Sequence, residues 1–571
     1  MAKEDRARTL TRWRVRSVDW RRTAVRAAYI SPMRFIRSVA VVMTTARSAP
    51  KLVVSIAMIA LACSLSMGAC AQSADPPPSC AGGFRGQCIA DVALGTNFGC
   101  ARLGDESVWC WGRNDQGQLG YATTDVCPED LGGGNGHAIA CHTFPFQVPG
   151  LDRVVGLAAA SAFTCAQRAD GTVRCWGGNA AGQLGDGNTL TSQTPVDVTG
   201  LAGVTSLAVG GDHACALVAG QVKCWGANDR GQIGVRTTET CKRSGAPIPC
   251  STEPVNVEGL SNVVAIASGA LHTCALLADA TVTCWGDNTW AQLGRGFPGL
   301  EDAPPPPLPN DGGSLDSGTG DAGDAHAGSD HDGGGLDAGP PPITFQSVML
   351  GRKTTLSNVL SISSTGATTC ALRDGGDVYC WGRGDHGELG SPKLAAPTLG
   401  CPGTCSGFAI TVADIQGMAS IDAGNAVDAG KPIDAGTSDS GAIADKDASM
   451  PSEPDAAPTG QGTDDRNLAN GESFACVSFV NGTARCWGSD TVGQLGDGMS
   501  TTASRGSTLV VAAPGAAADN PLVGVAKVRA GTTATCAVMN DHSVRCWGSN
   551  LAGALGLGHF SPVPGPMPVA W

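Results

Sequence analysis

Twenty-four cysteines in 571 residues are the side chains most able to do chemistry in this sequence. A thiol can attack, ligate a metal or oxidise to a disulfide, and spacing separates these roles. Six couples stand ten positions apart: Cys100/Cys110, Cys165/Cys175, Cys274/Cys284, Cys370/Cys380, Cys476/Cys486 and Cys536/Cys546. A seventh, Cys215/Cys224, stands nine apart. Each couple encloses two short apolar-rich runs around a Gly-containing turn, as in CALRDGGDVYC at 370–380. That is the pattern of a β-hairpin. The turn explains the odd spacing. Ala219-Gly220 is a two-residue loop, so 218 faces 221 and Cys215 faces Cys224. Ala169-Asp170-Gly171 has three residues, so 168 faces 172 and Cys165 faces Cys175. Opposed positions on antiparallel strands bring Cβ atoms to about 4.5–5.5 Å, and a small twist then permits a disulfide. Zinc ligation is the rival chemistry. The spacing is wrong for it, because C-x-x-C knuckles are lacking and no Cys-His cluster recurs among the copies.

Eight more cysteines form local couples, Cys80/Cys88, Cys127/Cys141, Cys241/Cys250 and Cys401/Cys405, which are expected to be loop disulfides. So complete a pairing beyond the first 70 residues implies an oxidising compartment. Each hairpin bridge closes a short loop and contributes at most about 3 kcal/mol.

The elements that must position these thiols come from a repeat. The second cysteine of every hairpin couple opens a Cys-Trp-Gly string, carrying Trp111, Trp176, Trp225, Trp285, Trp381, Trp487 and Trp547. Six residues after each Trp begins a second string, from Gly117-Gln-Leu-Gly in the first copy to Gly553-Ala-Leu-Gly in the last. Repeat four reads as four strands: EPVNVEGL, VVAIASG, HTCALLAD and TVTCWG. Four short strands per unit make a propeller blade. Side chains alternate along a strand, so Cys284 and Trp285 face opposite sides of the sheet. The cysteine staples its own hairpin, and the tryptophan fills the wedge between blades. The fold class expected is all-β, a seven-bladed β-propeller of four-stranded blades. Most repeats lead with a Pro-Val strand and the first does not. PMPVAW at 566–571 is therefore expected to complete the blade begun at 88–95.

Spacings between successive motif tryptophans are 65, 49, 60, 96, 106 and 60. The two long intervals contain Asp/Ala/Gly/Pro-rich segments, 301–342 and 421–466, nearly free of large apolar residues. They are expected to be disordered insertions, and neither fits an EF-hand loop or a calcium-binding nonapeptide.

Residues 52–69, LVVSIAMIALACSLSMGA, are uncharged and mostly apolar. With Arg47 and Lys51 before them and small residues after, they have the layout of an export signal over 43–70. Met67-Gly68-Ala69-Cys70 resembles a lipobox, which would make Cys70 a lipidated first residue and a membrane tether. Cleavage near Ala71 or Ala74, or an uncleaved anchor helix, are the alternatives. The Arg-rich residues 1–42 read as a prefix upstream of the true start, 71–84 as a linker and 85–571 as the propeller. Residues 1–51 carry a net charge of +10 and the rest −23. An acidic exported portion excludes nucleic acid as a partner through its phosphates.

The stretch HTCALLADATVTCWGDNTWAQLG at 272–294 and its six relatives resemble the repeats of the regulator of chromosome condensation family. The resemblance covers 85–571 apart from the two Asp-rich segments. It implies a seven-bladed propeller, here of the secreted bacterial type, whose relatives bind targets through loops on one face. The family's founder works on a small GTPase and chromatin. Export, acidic charge and disulfides contradict both roles, and no exchange residues carry over.

The expected function is an exported, non-enzymatic binding or scaffold module, a monomer at the cell envelope or secreted, without cofactor or metal. Its partner would be a protein or envelope ligand. The long interblade inserts 121–146 and 235–252 are the candidate contact surfaces. The alternatives are a polysaccharide lyase or hydrolase, or a purely structural envelope component. An enzyme needs converging acid and base groups. His213 and His272 instead share one slot of the repeat, His386 and His542 fall near turns, and Asp186 and Asp497 read as turn caps. Alkylation of the native, unreduced protein followed by mass mapping is expected to leave all seven hairpin couples unlabelled. Labelling of most of them would remove the compartment assignment.

Overall fold

The computed structural model describes residues 88–128, 138–296, 345–351, 354–391, 401–413, 415, 468–517 and 520–570. The leader, Cys70, Cys80 and both Asp-rich segments lie outside the described residues. Seven blades, each an antiparallel sheet, follow in chain order over 89–147, 154–197, 204–256, 263–347, 359–411, 468–509 and 525–568, with a two-stranded sheet of Met349–Gly351 and Thr354–Thr355 between the fourth and fifth. Each runs from an inner strand at the axis, through the disulfide hairpin, to an outer strand. In blade one these are Ile89–Leu94, Phe98–Leu103, Val108–Arg113 and Ala138–Gln147. Blade neighbours cover both faces, so third strands such as Val282–Gly286 are almost wholly buried.

Two expectations are corrected. The sequence places the Pro-Val strand first in each blade, and the structure places it last. Ser192–Asp197 pairs with Val173–Gly177, and Ala246–Asn256 with Gln221–Ala227. Val563–Pro568 likewise pairs with Val544–Gly548, Cys546 opposite Met567. The same strand shift puts Cys380 of blade five opposite Ile410 and Cys486 of blade six opposite Thr508 on their outer sides. The C-terminal segment therefore finishes blade seven and does not complete the blade begun at 88–95. The third strand presents an open edge as the chain leaves it, and the next strand in the chain returns to that edge. Blade one has its own outer strand, ending Phe144-Pro145-Phe146-Gln147. The second correction concerns 121–146 and 235–252, which are not interblade inserts. They lie inside blades one and three, where Val126–Pro128 and Glu239–Arg243 add a fifth strand.

The cysteines that staple each hairpin also pack against a neighbouring blade. Cys and Trp do point to opposite faces of the sheet, but each face meets a neighbouring blade, so both side chains fill wedges. Cys370 and Cys380 pack with Trp487 of the next blade, and Cys476 and Cys486 with Trp547. Cys100 and Cys110 meet Trp176, Cys165 and Cys175 meet Trp225, Cys215 and Cys224 meet Trp285, and Cys274 and Cys284 meet Trp381. Cys536 and Cys546 close the set against Trp111 of blade one.

The wedges explain both repeated strings. Each motif indole is buried, and its Nε1–H donates to a backbone carbonyl of the preceding blade at 2.9–3.0 Å. The acceptors are Gln118, Gln183, Gln232, Gln292, Glu388, Gln494 and, across the ring closure, Ala554. All but the last are the Gln or Glu at the second place of the string, which varies to Gly-Gln-Ile-Gly in blade three and Ala-Gln-Leu-Gly in blade four, and Ala554 holds that place in blade seven. The fourth residue of the string has positive φ in all seven blades. A Cβ there, as at Gly185 against Trp225, would press on the next indole.

The residue two before the first hairpin cysteine packs beside the axis. It is Phe98, Phe163, His213, His272, Thr368, Phe474 or Ala534. A Cβ at Gly95, Gly210, Gly269 or Gly471 would enter the ring three residues on. Thr365 stands where the slot holds the smaller Thr368; nothing in the structure explains Ala160 beside Phe163. His213 and His272 are fully buried. Thr273 Oγ1 donates to the Gln232 carbonyl at 3.0 Å, so the His213 Nε2–H donates to Thr273 Oγ1 at 2.9 Å. Burial, helped by the charges of His272 and Arg243, pushes His213 down to about 3, and burial pushes His272 down to about 4, outweighing Asp229 and Asp287.

Two measurements check this packing. Gln232 O keeps a second donor in Thr273, whereas Gln183 O receives the indole alone, the position matching Thr273 being Ala214. Denaturant unfolding is expected to show Trp225→Phe costing about 1 kcal/mol more than Trp285→Phe. Both histidines have folded-state values below the ordinary 6.5. The unfolded chain therefore takes up the proton first, and stability present above pH about 6.5 drains as pH falls toward about 4. Replacing both by Phe, the residue of three other blades, is expected to flatten that acid limb in calorimetry.

Candidate functional site

Strand direction alternates within a blade. The turns between inner and second strands therefore share one face of the ring with the loops between third and outer strands. That face carries both five-stranded extensions.

The extension of blade one is held at three points. Cys127 and Cys141 are disulfide-bonded across its two strands, with Cα atoms 5.8 Å apart. Both pack on Ala552 of blade seven. The Thr143 carbonyl accepts the Gly558 N–H at 3.3 Å. Above this base an aromatic group gathers: Tyr121 and Phe146 centroids lie 4.8 Å apart, and His142 lies 5.7 Å from Phe146. Tyr121 is buried and donates to the Cys110 carbonyl at 2.9 Å. Burial and Asp125 raise its phenol well above the usual range. Phe144, Phe146 and Val126 remain 48%, 50% and 67% exposed.

The extension of blade three is fixed by charge. Cys241 and Cys250 are bonded within it. Arg243 donates to Asp212 at 2.9 Å and to both oxygens of Asp229 at 2.8 and 2.7 Å. The Lys242 N–H reaches the Ala180 carbonyl of blade two at 3.2 Å.

At the axis the seven inner strands enclose a channel of about 370 Å³, lined mostly by small residues such as Ala158, Ser161, Gly211 and Gly269. Backbone bonds run around one mouth, from Thr96 N–H to Ser161 O and from Ala270 N–H to Gly366 O. The charged side chains beside it include Asp91 and Arg529, which pair at 3.0 Å, and Glu472.

The structure sets the hairpin cysteines directly opposite one another in all seven blades. The bridges are Cys100–Cys110, Cys165–Cys175, Cys215–Cys224, Cys274–Cys284, Cys370–Cys380, Cys476–Cys486 and Cys536–Cys546, with Cα–Cα separations of 4.0–4.1 Å. Cys401 and Cys405 are also paired, at 6.3 Å. Cys88 is disulfide-bonded, and its partner is not among the described residues. Bridges on this scale indicate an oxidising, extracytoplasmic setting. His386 lies beside buried Glu388, whose hydrogen bond raises it. His542 occupies a positive-φ turn position. Asp186 accepts from Asn179 and Asn188 at 3.1 and 2.8 Å, while Asp497 caps the Met499 N–H and pairs with Arg505. These groups are dispersed around the ring. Among the described residues, no three His, Cys, Asp or Glu side chains are grouped to hold a metal.

One set of residues escaped the sequence reading. Three positions after the motif Trp stands Asn114, Asn179, Asn228, Asn288 or Asn550. Each Oδ1 accepts the N–H of the Leu or Ile in the string that follows, and each Nδ2 donates to a loop carbonyl. The five-fold recurrence of that Asn was the available signal. Blade five has Gly384 there and blade six Asp490.

Models of the regulator of chromosome condensation (RCC1) repeat match residues 105–167, 170–217 and 219–276, and a second form matches 89–118, 204–232 and 359–388. The human E3 ubiquitin-protein ligase HERC2 is 27% identical over 216 residues, 36% of this chain, and the match spans 4% of that far longer protein. The crystal structure of human WBSCR16 superposes with a TM-score of 0.54 at 19% identity, covering 81% of this chain and 95% of the other. Prp20p from Saccharomyces cerevisiae gives 0.50 at 20% identity, covering 78% and 80%. With the recurrent Cys-Trp-Gly strings and the closed ring they build, these matches show a chain that carries RCC1 repeats over part of its length and folds as a seven-bladed β-propeller.

Proposed function

We propose that this protein is an exported, non-enzymatic binding module that holds a protein partner on the face bearing the two stapled extensions. The single observation that carries the reading is the aromatic group on blade one. Phe144 and Phe146 stand about half exposed on a hairpin clamped by a disulfide and seated on blade seven. Aromatic side chains held rigidly lose little freedom on binding and dominate interface energetics. Export rests on the leader pattern and on the disulfides, and a lipidated Cys70 would tether the ring to a membrane surface. Prp20p is described by its binding to Gsp1p and histones; only the use of a propeller to hold proteins is carried over.

Capture of envelope proteins on the purified, immobilised protein tests the reading. The Phe144→Ser/Phe146→Ser double variant is expected to retain less than about a tenth of the partner bound by the parent, a loss of about 1.4 kcal/mol or more. Val264→Ser, at an exposed position on the opposite face, is expected to retain all of it. Equal capture by all three proteins would remove this face as the binding surface.

A further inference from the structure

Blade six departs from the asparagine pattern, and the other blades act as its internal control. In blade two Asn179 Oδ1 accepts the Leu184 N–H at 2.9 Å, while Nδ2 donates to Asp186 Oδ1, Asn188 O and Leu190 O at 3.0–3.1 Å. The amide thus supplies hydrogens to a cradle made only of oxygens. Asp490 occupies the same place, and its Oδ1 accepts the Leu495 N–H at 3.3 Å. Asp497 follows it by seven residues, as Asp186 follows Asn179. Asp490 is fully buried, and its Oδ2 has no hydrogen-bond partner. An ionised carboxylate here would set a bare negative oxygen where every sister blade with an Asn places a donor.

We propose that Asp490 keeps its proton in the folded protein and donates it into the oxygen cradle, so that the loop of blade six is a proton-held latch on the face bearing the extensions. One hydrogen is all the slot lacks, and a carboxylic acid has the shape of the amide it replaces. The charged groups facing it are Asp497 and Arg505, and these two are already paired with each other. Blade seven packs on the same loop through Pro564, whose carbonyl accepts the Gly498 N–H at 3.0 Å, and through Trp547, and brings no charge. A metal ion could also fill an all-oxygen cradle, but Arg505 already neutralises Asp497, which leaves one negative charge and a deficit of one hydrogen. Burial and the Asp497 carboxylate push Asp490 up to about 7.

The sign follows. The folded state holds the proton more tightly than the unfolded chain, so the latch is complete below pH about 4 and its contribution is lost as pH rises toward about 7. Asp490→Asn carries its donors at every pH. The difference in melting temperature between this variant and the parent is expected to widen from about pH 4 to about pH 7 and then hold, which cancels the opposite trend of the buried histidines. In parent protein labelled with carbon-13 at the aspartate carboxyls, one resonance is expected to titrate near 7 and to be missing from the variant. Asp497→Asn is expected to move that midpoint to lower pH. A pH-independent difference in melting temperature, or aspartates that all titrate near 4, would overturn the latch. So would a calcium-dependent rise in melting temperature present in the parent and absent from Asp490→Asn, which would assign the cradle to a cation instead. The carboxyl titration needs only the parent protein, so the test stands even where a variant fails to fold.

Discussion

The bond from each motif indole to the carbonyl of the blade before it is the constraint on which the ring depends. A propeller blade has two apolar faces and cannot hide either alone. Apolar packing joins neighbouring blades without fixing their distance or tilt. A buried carbonyl that must find a donor fixes both, because leaving it unpaired costs about 1–3 kcal/mol. The same geometry dictates the string that follows. The loop must turn tightly enough to aim its second carbonyl at the next indole, and its last residue must lie against that ring without a side chain. The disulfide enters the same wedge from the other side, as Cys380 and Cys486 do against Trp487 and Trp547, and holds the hairpin strands in register.

With that constraint in place, the repeat tolerates single departures where the local hydrogen-bond balance can be restored. Gln118 accepts the Gln116 N–H on its side-chain oxygen and donates its amide to Asp115 at 3.1 Å. Glu388 in blade five keeps the acceptor, taking the His386 N–H at 2.7 Å, but has no amide to give. Arg383 instead donates to its second oxygen at 2.9 Å, and the carboxylate is held below its usual range despite burial. Each exchange that removes a donor from an interior loop thus calls for another group to supply the hydrogen.

Much of this was legible in the sequence because it repeats. The hairpins, the facing positions of the turns, the opposite orientation of Cys284 and Trp285 and the count of blades all follow from spacing, which local geometry converts into structure with little freedom. The phase of the blade was not legible. A Pro-Val strand followed by Gly-Leu joins two hairpins, and nothing local says which of them it pairs with. The answer lies in the edge left open by the third strand, a tertiary fact. The second task of the cysteines was hidden for the same reason, since which indole meets Cys380 or Cys486 depends on the neighbouring blade. Blade one hid its outer strand behind Phe144-Pro145-Phe146, so the strand's absence was inferred from a change of residue. The aromatic group on its extension was likewise invisible, since Tyr121, His142 and Phe146 meet only once that hairpin folds over.

The seventh wedge shows how the ring closes without a strand shared between its ends. It is the most depleted of the repeated contacts: Ala554 replaces the Gln of the string, and Gly99 stands where Thr164, Thr273 and Thr535 supply a second donor to the acceptor carbonyl in other wedges. What it lacks in repeated chemistry it gains in contacts outside the repeat. Arg529 bridges to Asp91, Thr96 Oγ1 meets Thr532 Oγ1 at 2.8 Å, and the extension of blade one folds across the loop of blade seven. The first and last blades are the neighbours farthest apart along the chain, so their junction carries the largest entropy of closure. The non-repeated contacts are concentrated where that cost falls. The hairpin read here as a binding surface is therefore also the ring's clasp, and the rigidity it needs in order to present Phe144 and Phe146 is the rigidity that closure already demands.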